Sequence, residues 1–170
     1  MRIVAGEWRG RIIKSPTGDQ VRPTRDRIRE AWMSIVAVRL PGARVIDLFA
    51  GSGALGIEAL SRGAAHADFV EKDPRTLLLV KTNLETLKAA DRATLWTADA
   101  VKFVMHLDAH AYDVAFADPP YATDAAVRLA ERWLDVPYAK LLGIEHPSTT
   151  TMPPGGDTRR YGTSSITFYR

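Results

Sequence analysis

Asp118, Pro119, Pro120 and Tyr121 follow directly on the apolar run Tyr112 to Ala117. Two successive prolines remove two backbone donors and fix φ. The turn therefore presents acceptors, chiefly the Asp118 carboxylate and the Pro119 carbonyl. That pair suits an atom carrying two N–H donors, such as the exocyclic amino group of guanine, adenine or cytosine. Such an amine is a poor nucleophile because its lone pair is conjugated into the ring. Acceptors on both hydrogens favour the pyramidal form and stabilise the positive charge that develops on nitrogen during attack. Asp118 has no need to deprotonate the amine first, since a conjugated amino group is far too weak an acid. Tyr121 adds a ring for stacking, worth about 1–3 kcal/mol per base. A Pro-Pro turn that only caps a strand is the plainer reading. The flanking acid and aromatic, downstream of a glycine loop, favour chemistry: Asp118, Pro119, Pro120 and Tyr121 are the expected catalytic element.

The glycine loop is Asp47-Leu48-Phe49-Ala50-Gly51-Ser52-Gly53-Ala54-Leu55-Gly56. Its Gly-x-Gly-x-x-Gly spacing follows a predicted strand and opens a predicted helix, the context that gives the pattern meaning. Glu71, twenty residues beyond Gly51, ends the next strand and is placed to bind ribose hydroxyls. These features indicate an adenosine-containing cofactor. A dinucleotide brings a pyrophosphate to the helix N-terminus, and a carboxylate at Asp47 would repel it. The same carboxylate would attract the amino or sulfonium group of S-adenosyl-L-methionine. Phe49, Ala50, Gly51, Ser52, Gly53 and Gly56 are accordingly assigned to that cofactor with Asp47 and Glu71. Lys72 and Asp73 shape the pocket beside Glu71. Asp99, before Ala100, is either an acceptor for the adenine amino group, a helix N-cap, or both.

Strands and helices must alternate to position these residues. Arg44–Phe49, 67–71, 93–97, Tyr112–Ala117 and Lys140–Glu145 read as strands, and Ser164–Tyr169 as a closing antiparallel strand. Ala54–Ser61, a segment from Pro74 through Leu87, Ala100–Leu107 and Thr123–Leu134 read as helices, with Gly63 a C-cap candidate. Pro147–Asp157 reads as a loop. The alternation predicts an α/β domain with a mostly parallel sheet covered on both faces, its ligands at the strands' carboxyl ends. Residues 41–170 form this domain. Residues 1–40 form an extension with a small hairpin around Glu7-Trp8-Arg9-Gly10, followed by a helix capped by Thr24.

Charge is concentrated in that extension. Residues 1–39 hold nine Arg and Lys against four acids, a net of +5, and the remainder holds fourteen against sixteen, a net of −2. A basic appendage facing a polyanion is the implied arrangement. Arg9, Arg11, Lys14, Arg22, Thr24, Arg25 and Arg29 are the nucleic-acid candidates, although some of the arginines could instead pair with Asp26 or Glu30. Trp8 could stack on a base or pack the hairpin. His106 and His110 stand at i, i+4 but lack a third convergent ligand, so no metal is expected.

Three segments together carry a family resemblance: Arg22-Pro23-Thr24-Arg25-Asp26-Arg27-Ile28-Arg29-Glu30, Asp47 to Gly56 continuing through Glu58 to Ala64, and Asp118 to Tyr121. With Arg2-Ile3-Val4-Ala5-Gly6-Glu7-Trp8-Arg9-Gly10-Arg11, the chain resembles the bacterial RsmD family of 16S ribosomal RNA guanine-N2 methyltransferases. The glycine loop and the Asp-Pro-Pro-Tyr element are shared with many amino-methyltransferases, and the N-terminal block is the more specific signature. The resemblance implies a Rossmann-like class I methyltransferase sheet of seven strands, the last antiparallel. It implies cofactor contacts at Asp47, Gly51, Ser52, Gly53 and Glu71, and base contacts at Asp118, Pro119 and Tyr121. It further implies that the hairpin and Arg22 to Arg29 help hold RNA or the cofactor site.

The chain has 170 residues and no cysteine, which excludes disulfides, thiolate metal sites and thiol nucleophiles. With no signal-like or membrane-spanning run, a cytoplasmic monomer acting on 16S rRNA or the small ribosomal subunit is expected. Three other readings stay open. A DNA adenine or cytosine methyltransferase would use the same core. A nicotinamide enzyme is disfavoured by Asp47. An RNA-binding module would bind without catalysis.

Overall fold

Runs rich in Val, Ile, Leu, Ala and Phe, too short for a buried helix, pair side by side as strands. The computed structural model describes residues 1–16 and 23–170, with the side chains of residues 23–25 left undescribed. Its strands are β1 (Arg44–Leu48), β2 (His66–Glu71), β3 (Ala93–Thr97), β4 (Tyr112–Ala117), β5 (Ala139–Pro147), β6 (Asp157–Tyr161) and β7 (Ser164–Tyr169). Among the described residues they form one seven-stranded sheet in the order β3-β2-β1-β4-β5-β7-β6. The pairs from β3 to β5 are parallel, and β7 runs antiparallel between β5 and β6. The order reverses at β1, flanked by β2 and β4, so the crevice beyond β1 and β4 is the expected ligand site.

Helices α1 (Pro23–Val36), α2 (Ala54–Ser61), α3 (Pro74–Thr86), α4 (Ala100–Val104) and α5 (Ala125–Asp135) cover the sheet. Ile28, Trp32 and Val36 of α1, Ile57 and Leu60 of α2 and Val80 and Leu84 of α3 bury against Val45, Phe69, Val114 and Phe116 on one face. Val101 and Val104 of α4 and Leu129 and Ala130 of α5 bury against Ile46, Leu48, Val70 and Ala115 on the other. No helix among the described residues is long and apolar enough to cross a membrane.

Several boundaries differ from the sequence reading. Helix α1 begins at Pro23, a residue suited to a helix first position, so Thr24 lies within the helix and is not its cap. Helix α4 stops at Val104 rather than Leu107 because the Arg132 guanidinium takes the carbonyls of Val104, Met105 and Leu107. His106 and His110 therefore fall beyond the helix, and His110 has a left-handed backbone. Helix α5 starts at Ala125, two residues later than expected. Strand β6 was absent from the sequence reading. Its residues are mostly exposed, and among the described residues it pairs on one side only, with β7.

The first sixteen residues fold back on themselves around Glu7–Gly10. Arg2 bridges Ile12, and backbone hydrogen bonds run from Ile3 to Arg11 at 2.9 Å, from Gly10 to Ile3 at 2.8 Å, from Ile13 to Met1 at 2.9 Å and from the Met1 amine to Ile13 at 3.0 Å. Helix α2 anchors this small hairpin. Glu58, fully buried, accepts the amides of Val4 at 3.0 Å and Ala5 at 3.1 Å and pairs with Arg62 at 2.9 Å. The Ser61 hydroxyl accepts the Trp8 amide and donates to the Ala5 carbonyl. Gly6 has φ +86°, and a Cβ there would stand 1.8 Å from the Ser61 carbonyl oxygen, so this contact admits glycine alone. Trp8 is buried under Arg92, whose guanidinium lies 5.2 Å from the ring centroid. It packs the arm and offers no face to a base.

Glu58→Ala would leave two part-buried amides and the Arg62 guanidinium without their acceptor. We expect it to cost about 2–4 kcal/mol of unfolding free energy and to speed hydrogen exchange at Val4 and Ala5. Urea titration and exchange mass spectrometry check both. Protection at those amides equal to the parent's would overturn the assignment.

Candidate active site

The carboxyl end of β1 turns sharply into α2. Phe49 takes φ +61°, a conformation a bulky residue adopts only where its surroundings enforce it, and Gly51 and Gly53 follow at +56° and +82°. The turn is closed by Gly53 donating to the Ala50 carbonyl at 2.7 Å, and is tied to β2 by Ala50 donating to Val70 at 3.0 Å. Gly56 lets α2 lie on the sheet, since a Cβ would stand 2.4 Å from the Phe69 ring.

Asp47, 1% exposed, accepts the Gly56 amide at 2.8 Å. Burial pushes its carboxyl from the ordinary 3.8 to about 8; the Gly56 hydrogen bond opposes that shift, and the negative charges of Asp118 and Glu71 add to it. Asp47, Asp118 and Glu71 thus share one electrostatic neighbourhood at the ends of β1, β4 and β2. Glu71 accepts the Gly51 amide at 3.0 Å with one oxygen and the Asp73 amide at 3.0 Å with the other. Asp73 caps α3 through the Arg75 amide and the Thr76 hydroxyl, and these hydrogen bonds lower its pKa. Asp99 caps α4, accepting the Lys102 amide at 3.0 Å, with Ala100 as the first helical residue. Lys72 is exposed beside Glu71.

At the end of β4, Asp118 and Pro120 are exposed and Pro119 is buried. Tyr121 is half exposed, with its hydroxyl held at both sides. It donates to Glu145 at 2.9 Å and meets the Ser164 hydroxyl at 2.5 Å. Its pKa is pushed up to about 12, first by burial and then by Glu145, so the phenol stays protonated as a donor. The ring is fixed in direction by its hydroxyl while the residue stays half exposed.

A donor set of this kind fits a cationic, adenosine-bearing cofactor. Carboxylates converge near the loop, the backbone is turned to allow close approach, and Glu71 and Asp99 stand at neighbouring strand ends. The structure brings Asp47, Phe49, Ala50, Gly51, Ser52, Gly53, Gly56, Glu71, Lys72, Asp73, Asp99 and Ala100 to the carboxyl ends of β1, β2 and β3.

The basic candidates divide. Arg9, Arg11 and Lys14 are exposed on the arm, Arg11 reaching the Thr86 carbonyl at 3.0 Å. Arg29 is a correction. It is 8% exposed, pairs with Asp26 at 3.0 Å and donates to the Arg2 carbonyl, so its guanidinium serves packing instead of phosphate. Arg22, and the side chains of Thr24 and Arg25, lie outside the described residues.

Glu145, Ser164 and Asn83 were missed by the sequence reading. Buried Asn83 donates to the carbonyls of Ser52 at 3.0 Å and Lys14 at 2.9 Å and accepts the Lys14 amide at 2.8 Å. It joins the glycine loop to the basic arm. Glu145 had one available signal, an acid near the carboxyl end of the strand expected next to β4.

Residues 1–170 match a family model described as conserved hypothetical protein 95. YlbH of Bacillus subtilis is 34% identical over 182 residues, covering 100% of this chain and 98% of that protein. Ribosomal RNA small subunit methyltransferase D of Haemophilus influenzae is 32% identical over 177 residues, covering 100% and 92%. Among solved structures, yhhF of Escherichia coli superposes with a TM-score of 0.84 at 32% identity, covering 99% of this chain and 96% of that one.

The raised pKa of Asp47 has a defined consequence for stability. Its carboxyl binds a proton more tightly folded than unfolded, so the stability it contributes is full below the ordinary 3.8 and is lost as pH rises toward about 8. Asp47→Asn keeps an acceptor for Gly56 and does not titrate. Its stability relative to the parent should increase between about pH 5 and about pH 8, measured by urea titration. A constant difference would contradict the burial assignment.

Proposed function

Because this chain belongs to the RsmD family and has its α/β methyltransferase fold, we propose that it methylates small-subunit ribosomal RNA at the exocyclic N2 of a guanine, with S-adenosyl-L-methionine as donor. One observation carries the reading: Asp118-Pro119-Pro120-Tyr121 closes β4 beside the glycine loop, with Tyr121 pinned by Glu145 and Ser164. The relatives' name supports the RNA class, and the exposed Arg9, Arg11 and Lys14 supply phosphate contacts that hold it.

The target base is turned out of its stack and laid on the Tyr121 ring. The Asp118 carboxylate and the Pro119 carbonyl accept the two amino hydrogens, turning the nitrogen lone pair outward. Neither proline can donate an N–H in competition. The cofactor supplies an electrophilic methyl on a positively charged sulfur. Glu71 and Asp99 are the residues for its ribose and adenine, and Asp47 and the Gly51–Gly53 backbone for its amino-acid end. As the amine becomes cationic, the Asp118 charge stabilises it, and this stabilisation is larger in the transition state than in the bound substrate. The surplus proton on the methylated nitrogen passes to Asp118 or to water, for which the exposed carboxylate is accessible. No metal has a role in this scheme. The protein works as a monomer in the cytoplasm, with residues 1–40 as its RNA-holding extension.

Asp118→Ala should lower kcat by about 100- to 1000-fold while cofactor affinity changes little. Labelled methyl transfer to 30S subunits, with calorimetry for the cofactor, checks both. Unchanged turnover would sink the role of Asp118. Label entering duplex DNA but not 30S subunits would sink the substrate assignment.

A further inference from the structure

Ala117 and Ile144 are partners across β4 and β5, so Glu145 follows on β5 beside the point where Asp118 leaves the end of β4. Side chains alternate along a strand. Two residues back, Phe116 and Gly143 both meet Trp32 on the α1 side of the sheet. Glu145 therefore lies on that same face, next to the turn that begins at Asp118. Tyr121 ties them together, since its hydroxyl donates to Glu145 at 2.9 Å and feels the charge of both carboxylates. Glu145 thus stands at the edge of the ring on which a base would stack.

The polar groups of this corner form a pattern. Two carboxylates and the Pro119 carbonyl accept hydrogen bonds, and two prolines cannot donate one. Guanine matches it, because its N1–H donor lies beside its amino group. Adenine and cytosine present a ring-nitrogen lone pair beside the amino group, and a carboxylate would repel that lone pair. We infer that Glu145 is a specificity-determining residue, accepting the ring N1–H of the guanine whose amino group is held by Asp118 and Pro119. This rests on the amino-methylation reading above and adds to it the reason the base is guanine.

The test uses full-length protein and reconstituted small subunits carrying guanosine or 2-aminopurine riboside at the nucleotide the parent labels. 2-Aminopurine keeps the amino group and ring shape but replaces N1–H by a lone pair. The parent should prefer guanosine by about 10- to 100-fold in kcat/KM, the effect of one charge-assisted hydrogen bond. Glu145→Gln still accepts from Tyr121 and can turn its NH2 toward a lone pair, so its preference should fall to within about threefold. Glu145→Asp keeps the charge and should retain the preference at lower rate. A parent that labels no guanosine overturns the functional reading itself. A parent without preference, a Glu145→Gln preference as large as the parent's, or equal loss in both variants overturns the role of Glu145.

Discussion

The hydrogen bond from the Gly56 amide to buried Asp47 sets the geometry on which the site depends. It joins the carboxyl end of β1 to the first turn of α2, and the intervening residues must then fold back through positive φ at Phe49, Gly51 and Gly53. The helix is thereby aimed so that its buried side lies on Phe69, at a distance only Gly56 permits. The cost is a carboxylate held out of water among other acids. An apolar residue in its place would leave the Gly56 amide without an acceptor in the interior, so a polar group is retained there.

The basic arm depends on the same helix from the other side. Glu58 and Ser61 lie on α2 and hold the backbone of residues 4 to 8, while Ile3, Trp8 and Ile13 fill the core beside them. The arm is thus fixed by α2 and Asn83 from outside and by the pairing of its own two halves from within. Its exposed Arg9, Arg11 and Lys14 are carried at a defined place relative to the glycine loop. A basic tail on a flexible tether would bring charge to the site without such alignment.

Much of this was legible in the sequence, and the reasons differ by element. Strands β1 to β5 announce themselves as short apolar runs, and α2 is bounded by glycines that gave both its ends. Strand β6 hid because Asp157, Thr158, Arg159 and Arg160 look like loop residues. An edge strand needs only one paired side, and charge on it discourages pairing with other chains. Helix α4 was overextended because its stop is a distant side chain, Arg132. The Asp-Pro-Pro-Tyr element and the glycine loop could be read because each is contiguous. Glu145, Ser164, Asn83 and Glu58 could not, since their importance arises from strand register and from contacts across 24 to 69 positions of chain. Arg29 was misassigned because charge alone does not tell a buried guanidinium from an exposed one.

Asn83 has a consequence for how such a chain can drift over generations. Its single amide group serves one acceptor and two donor roles at once, to Lys14 on the arm and Ser52 in the loop. Aspartate would lose both donors, leucine all three bonds, and glutamine would bring an extra methylene into a side chain only 1% exposed. A hybrid gene that took its first sixteen codons from one relative and its glycine loop from another would inherit two halves of one joint, and would work only if both parents had cut that joint to the same pattern.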